Sequence, residues 1–197
     1  YAQAPITIVL EGSLELIGGT GVARTFVLEA MKNGASVVTA NKALLAKYGP
    51  ELYKTAEDNN VDIYFEAAVG GAIPIVRPLR ESLVGDQVKD MLGIVNGTTN
   101  YILDEMTTKG LDFDVALKDA QAKGYAEADP STDVDGIDTW HKLIVSSNIA
   151  YGVSLDISGI PAAGIRHITK EDVDNFRNHN LVCKLVSFSR KHKNGLY

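Results

Sequence analysis

Five carboxylates, Glu127, Asp129, Asp133, Asp135 and Asp138, lie in the stretch G-Y-A-E-A-D-P-S-T-D-V-D-G-I-D-T-W-H-K, which runs from Gly124 to Lys142. A loop this acidic could ligate calcium, and Ser131, Asp133, Asp135 and Gly136 fit the first half of an EF-hand pattern. The twelfth position of that pattern must be a bidentate Glu, however, and here it is Lys142. An ammonium cannot ligate a cation, so the calcium reading fails. What remains is an acid–base pair. Asp138 and Lys142 are four residues apart and share a face if the segment is helical. Local rules alone describe such a pair as helix surface, stabilising by about 0.3–0.5 kcal/mol. The same rules make Pro130 and Gly136 breakers and offer Asp133 or Asp135 as a helix cap.

The elements that must position these groups fall into two patterns. Up to about residue 70, short apolar strands alternate with helical stretches. The strands are Ile6–Leu10, Leu14–Ile17, Ser36–Thr39 and Val61–Phe65. Helices are expected from Val22 to Lys32, stopped by Asn33 and Gly34, then over Lys42–Lys47, and again from Pro50 to Asn59. Alternation of this kind predicts a parallel sheet with helices packed on it. Beyond Glu66 the pattern changes. A glycine turn at Val69–Pro74 leads into a helix ending at Gly85, with Pro78 opening or kinking it, and Val88–Val95 reads as a strand. Asn96-Gly97-Thr98-Thr99-Asn100 supplies a turn and N-cap for a helix to about Thr108, Asp112 caps another that Gly124 ends, and a long helix spans about Gly136–Tyr151. Thr169 and Asp172 form a capping box for a helix ending near Asn180, and Leu181–Phe188 is the last strand. The expected fold is α/β: a partial Rossmann-like sheet over residues 1–70, then an α+β domain over 71–197.

Composition narrows the function classes. The 197 residues are 45% hydrophobic and carry a formal charge of −6, which argues against a nucleic-acid or anionic-membrane partner. The basic run Arg190–Lys193 reads as a solvated strand end and turn. Cys183 is the sole cysteine, so intramolecular disulfides and cysteine-based zinc sites are excluded and a reducing compartment is expected. It sits in an apolar run as a buried structural thiol. No apolar run approaches the roughly 18–20 residues of a membrane span and no signal core is evident, so a cytoplasmic protein is expected.

The segment Ala120-x-x-x-Gly124-Tyr125-Ala126-Glu127-x-Asp129-Pro130-x-x-Asp133-Val134-x-Gly136-x-Asp138-x-x-x-Lys142 resembles the signature of homoserine dehydrogenases position by position. Four other stretches agree in order and spacing: Glu15–Thr20, Val37–Lys42, Glu66–Gly71 and Asn96–Tyr101. The resemblance runs from about residue 14 to the end. It lacks the family's opening strand and G-x-G-x-x-G phosphate turn; Gly19-Thr20-Gly21-Val22-Ala23-Arg24 imitates the first half and ends in Arg24. The family's C-terminal part is also missing, so a fragment or truncated form is expected, holding the second half of the nucleotide domain and most of the catalytic domain.

The resemblance implies an NAD(P)-dependent enzyme that interconverts homoserine and aspartate 4-semialdehyde, on the route to threonine, methionine and isoleucine. It implies Lys142 as proton donor and acceptor, oriented by Asp138. Glu127 and Asp133 would hold the substrate ammonium, with Tyr125 and Thr98 nearby, although Thr98 equally suits a helix cap. Lys42 would sit beside the nicotinamide and the reacting carbon, as the runner-up for the acid–base role, with Gly19 and Thr20 approaching the cofactor. Carbonyl oxygens of Glu66, Val69, Gly71 and Ile73 would coordinate sodium. Homodimers or larger homo-oligomers are implied. Two other readings stand beside this one. The chain could be a catalytically silent substrate-binding or oligomerisation domain. A phosphorylating semialdehyde dehydrogenase would need an activated cysteine, and Cys183 has no obvious base beside it.

Overall fold

The computed structural model describes residues 6–9, 20–192 and 195–196. The chain divides into two compact units, Tyr1–Lys89 with Ile144–Gly159, and Asp90–Leu143 with Ile160–Tyr197. The architecture is α/β, as expected.

In the first unit, β1 (Ile6–Val9), β2 (Ser36–Thr39) and β3 (Ile63–Tyr64) form a parallel sheet in that order, with Ile6 opposite Ser36 and Val37 opposite Ile63. Helix α1 (Thr20–Lys32) joins the first pair and α2 (Lys42–Asp58) the second, the connectivity that parallel strands require. Gly34, at φ +78°, ends the α1 segment as the Asn-Gly stop predicts. The expected strand Leu14–Ile17 falls outside the described residues.

Two expectations in this unit are corrected. Pro50 does not open a new helix. It lies inside α2, whose buried face runs on from Ala43 and Leu44 through Gly49 to Leu52 and Ala56, so a continuous apolar stripe outweighs the one hydrogen bond a proline removes. The helix expected up to Gly85 is shorter, running over residues 76–82 and widening at Pro78–Ser82, where Leu83 N–H donates to the Pro78 carbonyl at 3.0 Å. Its N-terminal amides are taken by one side chain: the Glu66 carboxylate accepts from Ile75 N at 2.8 Å, Val76 N at 3.1 Å and Arg77 N at 2.6 Å.

In the second unit, β4 (Asp90–Gly93) pairs antiparallel with β5 (Ser187–His192), which pairs with β6 (Gly195–Leu196). The helices are α3 (Gly97–Lys109), α4 (Phe113–Ala122), the single turn α5 (Ser131–Val134), α6 (Ile137–Tyr151) and α7 (Lys170–Asn178). The first seven residues of α6 belong to this unit and the remainder to the other. Ile102, Leu103, Met106, Ala116, Ala120 and Val173 form a core, and Ala126 and Val134 of the acidic segment are buried in the same cluster. Burying a valine side chain stabilises by about 1.5–3 kcal/mol, so Val134 anchors the loop.

The expected strand Leu181–Phe188 is displaced to Ser187–His192. Residues 181–186 find no ladder; instead the Asn100 side chain substitutes for a neighbouring strand, its Oδ1 accepting from Leu185 N at 3.0 Å and its Nδ2 donating to Leu185 O at 3.2 Å. Arg190 of the basic run forms a forked pair with Asp90, directly opposite in the ladder, at 2.6 and 3.0 Å. The Thr169–Asp172 capping box forms as its spacing predicts.

Candidate active site

Chain geometry at the end of β4 sets the site. Asn96 is the N-cap of α3, and its Oδ1 accepts from Thr99 N at 2.9 Å and from Thr99 Oγ1 at 2.8 Å. That fixes the amide orientation, because the opposite edge can only be Nδ2. The Nδ2 group donates to Asp133 Oδ1 at 2.7 Å and to Asp138 Oδ2 at 2.9 Å. From the first turn of α6, Asp138 reaches Lys142 one turn on. Lys142 Nζ donates to Asp138 Oδ2 at 2.7 Å and to the Val95 carbonyl at 2.8 Å. The pair is well withdrawn from water, with side-chain exposures of 19% for Lys142 and 9% for Asp138. It therefore differs from the exposed pair that local rules describe, since screening is weaker and each partner depends on the other.

Asn96, Asp133, Asp138 and Lys142 line a cavity of about 580 Å³ together with Thr98, Tyr101 and Tyr125. The cavity thus brings together Lys142, Asp138, Asp133, Thr98 and Tyr125 of the residues expected from sequence. Glu127 is exposed and does not line it; its carbonyl accepts from Gln121 Nε2 at 2.9 Å. Thr98 is not the helix cap, a role taken by Asn96. Its hydroxyl donates to the Tyr125 carbonyl at 2.6 Å, which ties the start of α3 to the start of the acidic segment and leaves the Thr98 oxygen as an acceptor. Tyr125 packs on Tyr101 with ring centroids 4.8 Å apart. The Tyr101 hydroxyl donates to Asp119 at 2.5 Å and accepts from Lys123 at 2.6 Å. Hydrogen bonding to Asp119 pushes the Tyr101 phenol above its ordinary range.

The other acids hold the loop in shape, and neither Asp133 nor Asp135 caps a helix as local rules suggest. Asp129 accepts from Ser131 N at 3.1 Å and Ser131 Oγ at 2.6 Å, which keeps its carboxyl below the usual range. Arg166 forks onto Asp135 at 2.7 and 3.1 Å and lowers that carboxyl likewise. Between Asp133 and Asp138 the backbone passes very close to a second segment. Gly136 sits at φ +82°, and a Cβ there would fall 2.2 Å from Ala163 O. Ile165 N donates to Val134 O at 2.8 Å across the same contact.

In the first unit, Thr20 is the first residue of α1, and Gly19 lies outside the described residues. Lys42 opens α2 immediately after β2. That turn is fixed by Asn41, whose side chain accepts from Leu44 N at 2.9 Å, and by Thr39 Oγ1, which accepts from Asn41 N at 3.1 Å. Glu66, Val69, Gly71 and Ile73 share a tight turn in which Gly70 and Gly71 both take positive φ, +81° and +58°. Among the described residues, no cluster of three or more His, Cys, Asp or Glu side chains could hold a metal, and no helix is long and apolar enough to cross a membrane.

Asn96 and Tyr101 are the site residues that sequence reasoning missed. Asn96 lies in the stretch expected to supply the turn and cap, where Thr98 was the residue singled out, and its second set of partners lies 37 and 42 residues away.

The pattern that defines homoserine dehydrogenase matches residues 74–193, and that of the homoserine dehydrogenase NAD binding domain matches residues 10–66. The chain belongs to the homoserine dehydrogenase family. It is 45% identical to the homoserine dehydrogenase of Neisseria gonorrhoeae over 93% of its own length and 42% of that protein. With the Corynebacterium glutamicum homoserine dehydrogenase it shares 46% identity over 92% of the chain and 41% of the relative. Among solved structures, the homoserine dehydrogenase of Thiobacillus denitrificans superimposes with a TM-score of 0.90 at 44% identity, over 98% of this chain and 43% of that one. A hyperthermophilic archaeal homoserine dehydrogenase mutant in complex with NADPH gives 0.78 at 33% identity, over 95% of this chain and 53% of that one. The chain therefore spans about two-fifths of the length of these curated family members.

Proposed function

We propose that this chain carries the substrate site of a homoserine dehydrogenase, which interconverts L-homoserine and L-aspartate 4-semialdehyde with NAD or NADP. The observation that supports this best is the Lys142–Asp138 pair at 2.7 Å inside a cavity that also holds Asp133. When bound, the nicotinamide supplies or accepts the hydride at the carbonyl carbon. As that carbon is reduced, negative charge develops on its oxygen, and Lys142 Nζ donates the proton that makes the hydroxyl. In the oxidative direction Lys142 takes the same proton back. Asp138 and the Val95 carbonyl orient the ammonium. Asp133 holds the substrate ammonium, Glu127 is the second carboxylate that the family resemblance assigns to it, and Thr98 and Tyr125 complete the pocket wall.

Lys42, at a helix N-terminus beyond the carboxyl end of a parallel strand, suits the cofactor side of the reaction, with Thr20 contributing from the start of α1 and Gly19 assigned beside it by the family resemblance. The nucleotide-binding part ends near residue 70 on this reading, and 71–197 is the substrate domain. Two adjacent glycines at positive φ support a sodium site formed by carbonyls of Glu66, Val69, Gly71 and Ile73. The exposed apolar residues Leu92, Ile94 and Val186 support a homo-oligomer formed through the second unit. The single, partly buried cysteine suits a cytoplasmic setting.

The test is to add NADPH and aspartate 4-semialdehyde and follow absorbance, with homoserine binding measured by calorimetry in parallel. Turnover supports the enzyme. Saturable homoserine binding without turnover identifies a silent substrate-binding domain, and the absence of both signals overturns the reading.

A further inference from the structure

Both ends of the Asp138–Lys142 pair rest on two consecutive residues. The Val95 carbonyl accepts from Lys142, and the next side chain, Asn96, donates to Asp138. The same Asn96 Nδ2 also donates to Asp133. One amide nitrogen therefore uses its two hydrogens on two carboxylates, of which the first faces the substrate and the second holds the proton donor. Two carboxylates brought to one donor repel each other, and an amide that satisfies both offsets that repulsion at fixed geometry. Asn96 is 5% exposed, and all of its side-chain hydrogen-bonding capacity is used. We infer that Asn96 is a positioning residue that couples the substrate-facing carboxylate Asp133 to the Asp138–Lys142 proton donor. The inference rests on the functional reading above for the meaning of the coupling, but the coupling itself can be measured without turnover.

Two roles of Asn96 must be separated: helix cap and bridge. Serine caps a helix about as well as asparagine but has one short donor in place of two. Asn96→Ser therefore keeps the cap and removes the bridge. Competitive acetylation of the 197-residue chain, read by peptide mass spectrometry, gives the labelling rate of Lys142 relative to Lys118 as an internal reference. In Asn96→Ser the relative rate at Lys142 rises about threefold or more, because Asp138 is no longer held against the ammonium. The thermal midpoint of the variant falls, because Asp133 and Asp138 lose a shared donor, while circular dichroism still reports a folded chain. An unchanged relative rate at Lys142 reduces Asn96 to a cap and overturns the proposal. Should the serine variant not fold, Asn96→Asp keeps the cap and turns both donors into acceptors facing two carboxylates. It is read in the same way, and an unchanged rate is again decisive. Homoserine slows Lys142 labelling in the parent chain. If it does not, the substrate assignment fails, while the comparison of unliganded variants still decides the role of Asn96.

Discussion

Gly164 crosses Val134 so closely that a Cβ on the glycine would lie 2.0 Å from the Val134 carbonyl oxygen. This crossing sets the position of the acidic segment. Val134 stands between Asp133 and the turn that starts α6, so the distance between the two cavity carboxylates depends on it. Gly164→Ala is expected to destabilise the chain by about 2 kcal/mol or more, because the clash is with backbone that cannot rotate away. Urea unfolding of the variant checks this. A midpoint equal to that of the parent would show that the two segments separate freely.

Lys142 is the next test. Lys142→Ala is expected to lower turnover of homoserine by about 100-fold or more, the range for loss of a general acid. It also leaves the withdrawn Asp138 carboxylate without its counter-ion, at a stability cost of roughly 1–3 kcal/mol. Circular dichroism should still report a folded chain. Near-normal rates would move the proton-transfer role to Lys42.

A pH dependence follows from the loop carboxylates. Arg166 lowers the Asp135 carboxyl, and Ser131 lowers that of Asp129. A lowered folded value means that the charged form is favoured by folding. The resulting stability is present above the unfolded value of 3.8 and is lost as pH falls through the folded one. Arg166→Leu should therefore lower stability slightly above pH 3.8, and the difference from the parent should vanish as pH falls through the folded value, as read by urea unfolding at about pH 7 and about pH 3. A difference that grows on acidification would contradict the assignment.

Cys183 offers a simple probe of the second unit. Burial pushes its thiol above the ordinary range, and it packs against the core beside Leu185. At pH 8 it should react with a disulfide reagent at least about tenfold more slowly in the folded chain than in urea, because thiolate fraction and access both fall. Equal rates would contradict the packing. A slow thiol also agrees poorly with cysteine-based semialdehyde chemistry.

How much of this was legible in the sequence depends on the range of each interaction. Local devices read correctly: the Asn33–Gly34 stop and the Thr169–Asp172 capping box use partners within four residues, and the cap of α3 falls within the expected Asn96–Asn100 stretch, at Asn96 rather than Thr98. The Asp138–Lys142 pair was visible as spacing, but its withdrawal from water was not, since that depends on Val95 and Asn96. Pro50 misled because breaker rules weigh one lost hydrogen bond and cannot weigh a buried face of seven residues, five before the proline and two after it. The strand expected at Leu181 began six residues late because an asparagine 85 residues upstream had already satisfied Leu185.

That asparagine has a consequence for how the second sheet is assembled. By occupying both main-chain groups of Leu185, Asn100 determines where β5 can begin, and so which residue meets Gly93. A slip by one residue would turn the buried Ser187 and Ser189 outward and drive Arg190 toward the core. The alignment of the two strands is thus chosen by a helix residue that belongs to neither of them.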